Sequence, residues 1–161
     1  MNKKANYGWT NNLYDQAKAV VDCLGGGENA YNLILETSAT ETALGQMYDG
    51  TIYAGMGICQ FDKVPFYRVR KKSLKFRDKI FKDLGVDIKL VEWEHLRYNS
   101  FLSLIFCRLY YLTIAEPIPA TLEGRAGYWK KYYNSYLGKG TPKHYTKMVS
   151  RFVNDTHGYL A

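Results

Sequence analysis

Hydrophobic residues recur at helical spacing in several segments of the chain, and capping residues or glycines bound each segment. Asn11 or Asn12 can cap a first helix through LYDQAKAVVDCL, which the three glycines at 25–27 would end. Asn29 can cap a second helix, AYNLILETSATETAL, which ends near Gly45. The chain is therefore predicted to open with two helices.

A segment in the middle of the chain is apolar on nearly every side: SFLSLIFCRLYYL at 100–112, after Asn99 as a possible cap. A helix of this kind belongs in the centre of a domain. Residues 46–62 are rich in glycine and predict a loop or short irregular strands. Further helices are predicted from 63 to about 84, from Thr121 to Tyr136, and from Thr141 and Pro142 onward.

Length and composition indicate one folded domain. The chain has 161 residues, of which 47% are apolar and 16% aromatic, and this composition excludes a disordered chain. No internal repeat or low-complexity tract divides it. We therefore predict a mainly α, single-domain protein over residues 1–161, built around a central buried helix.

The net charge of +7 is concentrated in one segment. Residues 63–82, KVPFYRVRKKSLKFRDKIFK, contain nine Lys or Arg and one acid, Asp78, so nine minus one gives +8 for this segment alone. Such a basic segment indicates a polyanionic partner: nucleic acid, anionic lipid or an acidic cell wall. A solvated helix face that keeps the protein soluble explains it equally well.

The sequence predicts no metal site and no cofactor, because its histidines are scattered and its cysteines lack ligand spacing. The cysteines (Cys23, Cys59 and Cys107) are odd in number, and we expect reduced, buried thiols. The opening MNKKANYGWTNN lacks the apolar core of a secretory signal, and no apolar run approaches the ~20 residues that span a bilayer. We therefore expect synthesis in the cytoplasm, and action on a cell wall would need another route out of the cell.

One glutamate in the second predicted helix is a candidate general acid. At 100° per residue, Glu41 falls within roughly 100° of arc with the apolar face formed by Ala30, Leu33, Ile34 and Thr37. A carboxyl group against apolar surface has a raised pKa, so it can donate a proton to a leaving oxygen near neutral pH. Glu36 lies about 110° from the centre of that face and is expected to be solvated. The alternative for Glu41 is a buried carboxylate paired with a basic residue such as Arg108.

The glycine-rich loop supplies a second candidate element. Gly55 and Gly57 leave room for the backbone to approach a ligand, and Gln60 offers amide donors and an acceptor. Taken alone, this G-x-G-x-x-Q pattern is explained equally well by a plain turn.

Together, ETALG at 41–45 and GMGICQ at 55–60 resemble the catalytic and glycine-rich segments of lysozyme-like lytic transglycosylases and goose-type lysozymes. LILETSATET, CRLYY, EPIPA and GYWKKYYNSYLGKGT resemble phage-encoded cell-wall lysozymes, so the resemblance covers about residues 29–145. It implies a lysozyme-like fold with the glycine-rich loop or a small β element beside the active-site cleft. It also implies a peptidoglycan-cleaving muramidase, acting as a bacteriophage endolysin or as a component of the virion.

The resemblance implies roles for individual residues near the scissile bond. Glu41 matches the general acid, and Thr42 stands where the family has Ser. Gln60 and the backbone around Met56 and Gly57 match the residues that line the sugar. These residues are therefore the expected substrate contacts.

Aromatic residues in the C-terminal half carry less specific expectations. Tyr111 matches an aromatic residue that the family directs into the cleft, and a core tyrosine is an equal alternative. Trp129, Tyr133 and Asn134 are expected to be packing and capping residues rather than ligand contacts.

Hydrolysis and transglycosylation place different demands on the residues around Glu41. An inverting hydrolase needs a second carboxylate, roughly 6.5–9.5 Å from the acid, to activate water. Asp62 is the main candidate and Asp49 the weaker one, because both flank the glycine-rich loop. A lytic transglycosylase uses Glu41 alone, first as acid and then as base on the C6 hydroxyl of muramic acid. The two nearby acids favour hydrolysis slightly.

Functions of other classes stay open. A nucleic-acid binder would use the basic segment, where Phe66, Tyr67 and Phe76 lie among Lys and Arg, although no recognised binding motif is present. A non-catalytic wall-binding protein would keep the fold without the activity, which the presence of Glu41 argues against. For a glycosidase, the expected partners are peptidoglycan glycan strands and, through residues 63–82, the anionic cell envelope. We expect a monomer.

Overall fold

A computed structural model of the chain describes residues 12–47, 55–134 and 138–153, and these residues are mainly helical, as predicted. Strand pairing within these ranges is limited to one antiparallel bridge between Met56 and Phe61. None of the helices in these ranges is long and apolar enough to cross a bilayer. The α-helices are α1 (Leu13–Leu24), α2 (Gly27–Thr42), α3 (Lys63–Lys72), α4 (Arg77–Leu84), α5 (Ser100–Leu112), α6 (Leu122–Trp129) and α7 (Pro142–Phe152).

Short tight turns connect several of these helices. One 3₁₀ turn (Leu74–Phe76) joins α3 to α4, and two more (Ile88–Leu90 and Trp93–Tyr98) lead from α4 to α5. A π-helical turn (Lys130–Asn134) extends α6, so helical backbone continues most of the way towards the predicted end at Tyr136; residues 135–137 lie outside the described residues.

Three helices begin at the caps that the sequence predicts. The side chains of Asn12 and Asn99 accept backbone N–H bonds at 2.9 and 3.0 Å at the starts of α1 and α5. Thr141 does the same at 3.1 Å for α7, with Pro142 at its first position. Each bond satisfies an amide that has no partner inside the helix, which is why these helices begin where they do.

Two predicted helix boundaries are wrong. α2 begins at Gly27 rather than after Asn29, because Gly26 adopts a φ of 105° and turns the chain directly into the helix. The predicted helix from 63 to about 84 is interrupted after α3 at Ser73, which is buried. A straight helix over this segment would be about 33 Å long, whereas the interruption lets α3 and α4 both pack on one core.

Two helices occupy the interior. α5 is buried at nearly every position from Phe101 to Tyr111, as predicted for the central helix. α2 is also buried on almost all sides, because α7 packs on the face that α1 and α5 leave open, and Arg125 and Trp129 of α6 reach the same face. A separate small apolar cluster packs α6 on α7, and it contains Ala126, Trp129, Tyr145 and Val149. All three cysteines are buried, free thiols, as predicted.

The prediction that Glu36 is solvated is wrong, since this residue is 5% exposed. Its Oε1 accepts hydrogen bonds from Arg125 Nε at 2.7 Å and from the Tyr145 hydroxyl at 2.8 Å, and its Oε2 accepts from Arg125 Nη2 at 2.9 Å. Arg125 Nη1 also donates to the carbonyl of Ala120 at 2.9 Å. Helical periodicity identifies one buried face of α2, and it cannot identify a second face that later helices cover.

We expect the loss of one partner of this ion pair to destabilise the fold strongly. Arg125→Met leaves Glu36 buried without its cation and should lower the free energy of unfolding by about 3–5 kcal/mol, measured by urea denaturation. The double variant Glu36→Gln, Arg125→Met removes both charges and keeps an acceptor for the Tyr145 hydroxyl, so it should recover part of the loss. A double variant less stable than Arg125→Met would contradict this account.

Candidate functional site

Glu41 lies in the last turn of α2 and is partly buried. The indole N–H of Trp129, a residue 1% exposed, donates to Glu41 Oε1 at 3.1 Å. No Lys, Arg or His of the described ranges forms an ion pair with this carboxyl group. Within the described ranges, the carboxyl group of Glu41 therefore has one neutral donor and no ion-pair partner.

Burial raises the pKa of Glu41 from 4.5 to about 7. The hydrogen bond from Trp129 acts in the opposite direction, because it stabilises the carboxylate, and the negative charge of Asp62 adds to the increase. A carboxyl group with this pKa holds its proton in a large fraction of molecules at neutral pH. It therefore meets the first requirement of a general acid.

The alternative proposed for Glu41, a buried ion pair, is found instead at Glu36. Arg108, the suggested partner, lies at the other end of α2, where its Nε donates to the carbonyl of Gly25 at 3.0 Å. The two glutamates of α2 thus differ in partner rather than in exposure alone: Glu36 faces a guanidinium, and Glu41 faces an indole.

Thr42 connects the end of α2 to the glycine-rich loop. Its hydroxyl donates to the carbonyl of Ile58 at 2.7 Å and accepts from the amide of Gly45 at 2.9 Å. The residue is 1% exposed, so the structure corrects its expected role as a substrate contact. Thr42 positions the loop against the helix that carries Glu41.

The glycines of the loop are needed for packing against the protein, not for the approach of a ligand as expected. Gly57 is buried with a φ of 76°, and a Cβ there would lie 2.3 Å from Ser103 Oγ and 2.6 Å from the carbonyl oxygen of Leu96. A Cβ on Gly55 would lie 2.0 Å from the carbonyl oxygen of Gln60. A side chain at position 57 would push the loop away from α5, and one at position 55 would clash with the loop's own backbone, so Gly57 is not itself a sugar contact.

Gln60 and Met56 reach the surface of the loop. Gln60 has a φ of 48°, an unusual conformation for a residue with a side chain, and its Nε2 donates to the carbonyl of Gly57 at 2.9 Å. The second N–H and the oxygen of its amide remain for a ligand. Met56 is partly exposed, but its backbone N–H and C=O both pair with Phe61. Of the loop residues expected to contact substrate, Gln60 is the best placed.

Asp62 and Gln60 line the same small cleft, of about 60 Å³, together with the rings of Tyr110 and Tyr133. Asp62 precedes α3 at its N-cap position, yet its side chain makes no capping bond, so both carboxylate oxygens are uncommitted there. Partial desolvation raises its pKa above 3.8. The negative charge of Asp62 contributes to the raised pKa of Glu41, so the two carboxyl groups interact electrostatically. Asp49, the second candidate, lies outside the described residues.

The structure distinguishes between the two alternatives left open for Tyr111. Tyr111 is 2% exposed, its hydroxyl is hydrogen-bonded to Thr37 at 2.8 Å, and its ring stacks on Tyr133 at 5.4 Å. It is therefore the core alternative and not a cleft residue. Tyr133 lies between Tyr111 and the loop, where its hydroxyl donates to the carbonyl of Cys59 at 2.6 Å.

Trp129 is the site residue that the sequence analysis assigned to packing alone. It does pack, since its ring lies 5.4 Å from that of Tyr145, and it also contacts the carboxyl group of Glu41 directly. The two residues are 88 positions apart, and no local pattern links them.

Comparison with known proteins gives no relative: no family model matches the chain, and searches of curated proteins and of solved structures found no match. Function is therefore inferred from Glu41 and its surroundings, together with the motif resemblance.

The raised pKa of Glu41 should make protein stability depend on pH. The folded state holds this proton up to about pH 7, whereas the unfolded chain releases it near pH 4.5, so the stabilisation is complete below 4.5 and is lost as the pH rises through 7. Relative to Glu41→Gln, the wild type should lose on the order of 3 kcal/mol of unfolding free energy across that window. Urea denaturation of both proteins at several pH values measures this, and a difference independent of pH would refute the assigned pKa.

Proposed function

We propose that the chain is a peptidoglycan-cleaving glycosidase of the lysozyme type, with Glu41 as its general acid. The observation that carries the proposal is a carboxyl group with a pKa of about 7, beside a cleft that Gln60 and Asp62 line. The resemblance of ETALG and GMGICQ to the catalytic segments of lytic transglycosylases and goose-type lysozymes supports the same residues.

The surroundings of Glu41 suit proton delivery to a glycosidic oxygen. The alkoxide leaving group of a glycoside is strongly basic, so it departs only when it is protonated. Trp129 occupies Oε1 of Glu41, and within the described part of the chain no residue bonds Oε2. We assign the transferred proton to Oε2. Once it has left, the indole N–H stabilises the new carboxylate.

Asp62 supports hydrolysis over transglycosylation. A base that activates water must be ionised while the acid is protonated, and two interacting carboxyl groups with separated pKa values meet that condition. The Asp62 side chain is exposed and makes no capping bond at the start of α3, so it is available to activate water. Transglycosylation by Glu41 alone is the second candidate.

Part of the basic segment serves the fold. Arg70 pairs with Glu92 at 3.2 Å and also donates to the carbonyl of Val91 at 2.9 Å. Arg77 pairs with Asp87 at 2.7 Å. Binding to an anionic wall would therefore depend on the exposed cations of the segment that have no ion-pair partner among the described residues: Lys63, Arg68, Lys71, Lys72, Lys75 and Lys82.

Two of the aromatic residues expected for a nucleic-acid binder are poorly placed for it. Stacking on bases needs exposed rings. Phe66 is fully buried, and Phe76 packs against the same core, whereas Phe81 is 60% exposed. Cations with few exposed rings would give binding without base preference.

Digestion of purified sacculi, with mass spectrometry of the products, tests the assignment. Glu41→Gln should lower the rate by at least about 100-fold, the contribution typical of a general acid. Glu28→Gln changes an exposed glutamate of the same helix and should leave the rate within about twofold of wild type. Equal rates for the wild type and Glu41→Gln would overturn the proposal.

The products and one further variant separate the two mechanisms. Hydrolysis gives reducing ends and requires Asp62, so Asp62→Asn should also lose activity. Transglycosylation gives 1,6-anhydro ends and should survive that substitution.

Neutralising the exposed cations should weaken binding to the wall. Lys71→Gln with Lys72→Gln removes two charges from α3 without touching the Arg70 ion pair, so we expect less binding to sacculi at low salt and unchanged cleavage of short soluble fragments. Lys143→Gln with Lys147→Gln removes the same charge from exposed positions of α7 and serves as the control. Equal loss of binding in both double variants would show that net charge, and not this segment, is responsible.

A further inference from the structure

A second cavity, of about 350 Å³, lies at the opposite end of α2 from Glu41. Its walls come from the first turn of α2, the last turns of α5 and the segment that follows α5, with Tyr128 of α6. The rise of an α-helix places the start of α2 about 20 Å from Glu41. The cavity is therefore separate from the proposed active site.

Arg108 is a buried cation without a counter-charge at this cavity. The residue is 5% exposed, and its one hydrogen bond, from Nε to the carbonyl of Gly25, leaves both terminal amino groups without a protein acceptor in the described part of the chain. Neither amino group is sealed from solvent, and Arg108 is one of the residues that line the cavity. Arg125 is equally buried and has Glu36 as its partner, whereas no carboxylate of the described ranges pairs with Arg108.

The N-terminus of α2, which carries partial positive charge, lies at the same cavity. Its N-cap residue, Gly26, supplies no side-chain capping bond, and the first amides of a helix have no partner within it. A Cβ on Gly26 would lie 2.6 Å from Arg108 Nη2, so the missing side chain lets the guanidinium approach the helix end closely. A cation at a helix N-terminus is electrostatically unfavourable. An anion bound between the Arg108 guanidinium and the N-terminus of α2 would interact favourably with both.

The nearby acids do not fill this role. Glu28, in the first turn of α2, and Glu116, at the cavity edge, are both exposed, and neither forms an ion pair with Arg108. Burial lowers the pKa of Arg108, and neither glutamate offsets that effect.

We propose that this cavity binds a small organic anion, with its carboxylate or phosphate held between the Arg108 guanidinium and the first turn of α2. The rest of the lining suits a short apolar portion, because Ile114, Pro117 and Ile118 form one wall. The polar groups of Asn29 and Tyr128 are already used, since they donate to the carbonyls of Ile118 and Glu116. This proposal does not depend on the glycosidase assignment.

Titration of the whole protein with inorganic phosphate and with butyrate, followed by amide NMR shifts, tests the proposal. At least one probe should bind with a dissociation constant below about 10 mM and shift the amides of Gly26 and Asn29. The probe that binds more tightly identifies the oxyanion.

Two variants locate the binding. Arg108→Met should weaken binding at least about tenfold, as expected for the loss of a charge-assisted hydrogen bond. Arg97→Met removes an exposed arginine and should leave binding unchanged. Absence of binding by either probe to the wild type, or equal binding by Arg108→Met, would overturn the proposal. The wild-type shifts alone decide it if Arg108→Met does not fold.

Discussion

The buried ion pair between Glu36 and Arg125 fixes the geometry on which the candidate site depends. It joins α2 to α6 near the middle of α2, and Tyr145 brings α7 to the same carboxylate. Trp129 follows Arg125 by four residues, one turn along α6, as Glu41 follows Glu36 by five along α2. Fixing the first pair therefore brings the indole of Trp129 to the carboxyl group of Glu41. Tyr145 supports this contact from behind, because its ring packs on Trp129.

The same helix thus presents two carboxyl groups to opposite kinds of environment. Glu36 has a guanidinium that forms two parallel hydrogen bonds with it, the geometry in which a buried carboxylate is best compensated. Glu41 has one neutral donor and the apolar end of the helix, so its charged form is disfavoured. Without the cation at Glu36, the fold would contain two uncompensated buried acids on one helix. The ion pair of Glu36 with Arg125 compensates one of these acids, and burial raises the pKa of the other.

The sequence predicted those structural features that depend on residues close together along the chain. The caps Asn12, Asn99 and Thr141 set helix starts within three or four positions of themselves, and the uniformly apolar α5 could only be central. The contacts that make the site span 89 positions for Glu36 with Arg125 and 88 for Glu41 with Trp129, and no local periodicity encodes them. The glycines of the loop were recognisable as necessary. That Gly57 lies against Ser103 of α5 rather than against a ligand depended on the tertiary fold.

The two ends of α2 share one electrostatic property. The peptide dipoles of a helix leave partial negative charge at its C-terminus and partial positive charge at its N-terminus. Glu41 places an acid at the negative end, and Arg108 places a cation at the positive end. Each arrangement is unfavourable when the group is ionised and buried, because the group then carries the same sign of charge as the helix end. Stability alone would favour a cation at the C-terminus and an acid at the N-terminus. Protonation resolves the conflict for Glu41, which is the property a general acid needs. A guanidinium cannot lose its proton in the physiological range, so at Arg108 the corresponding resolution is an anion from outside the chain.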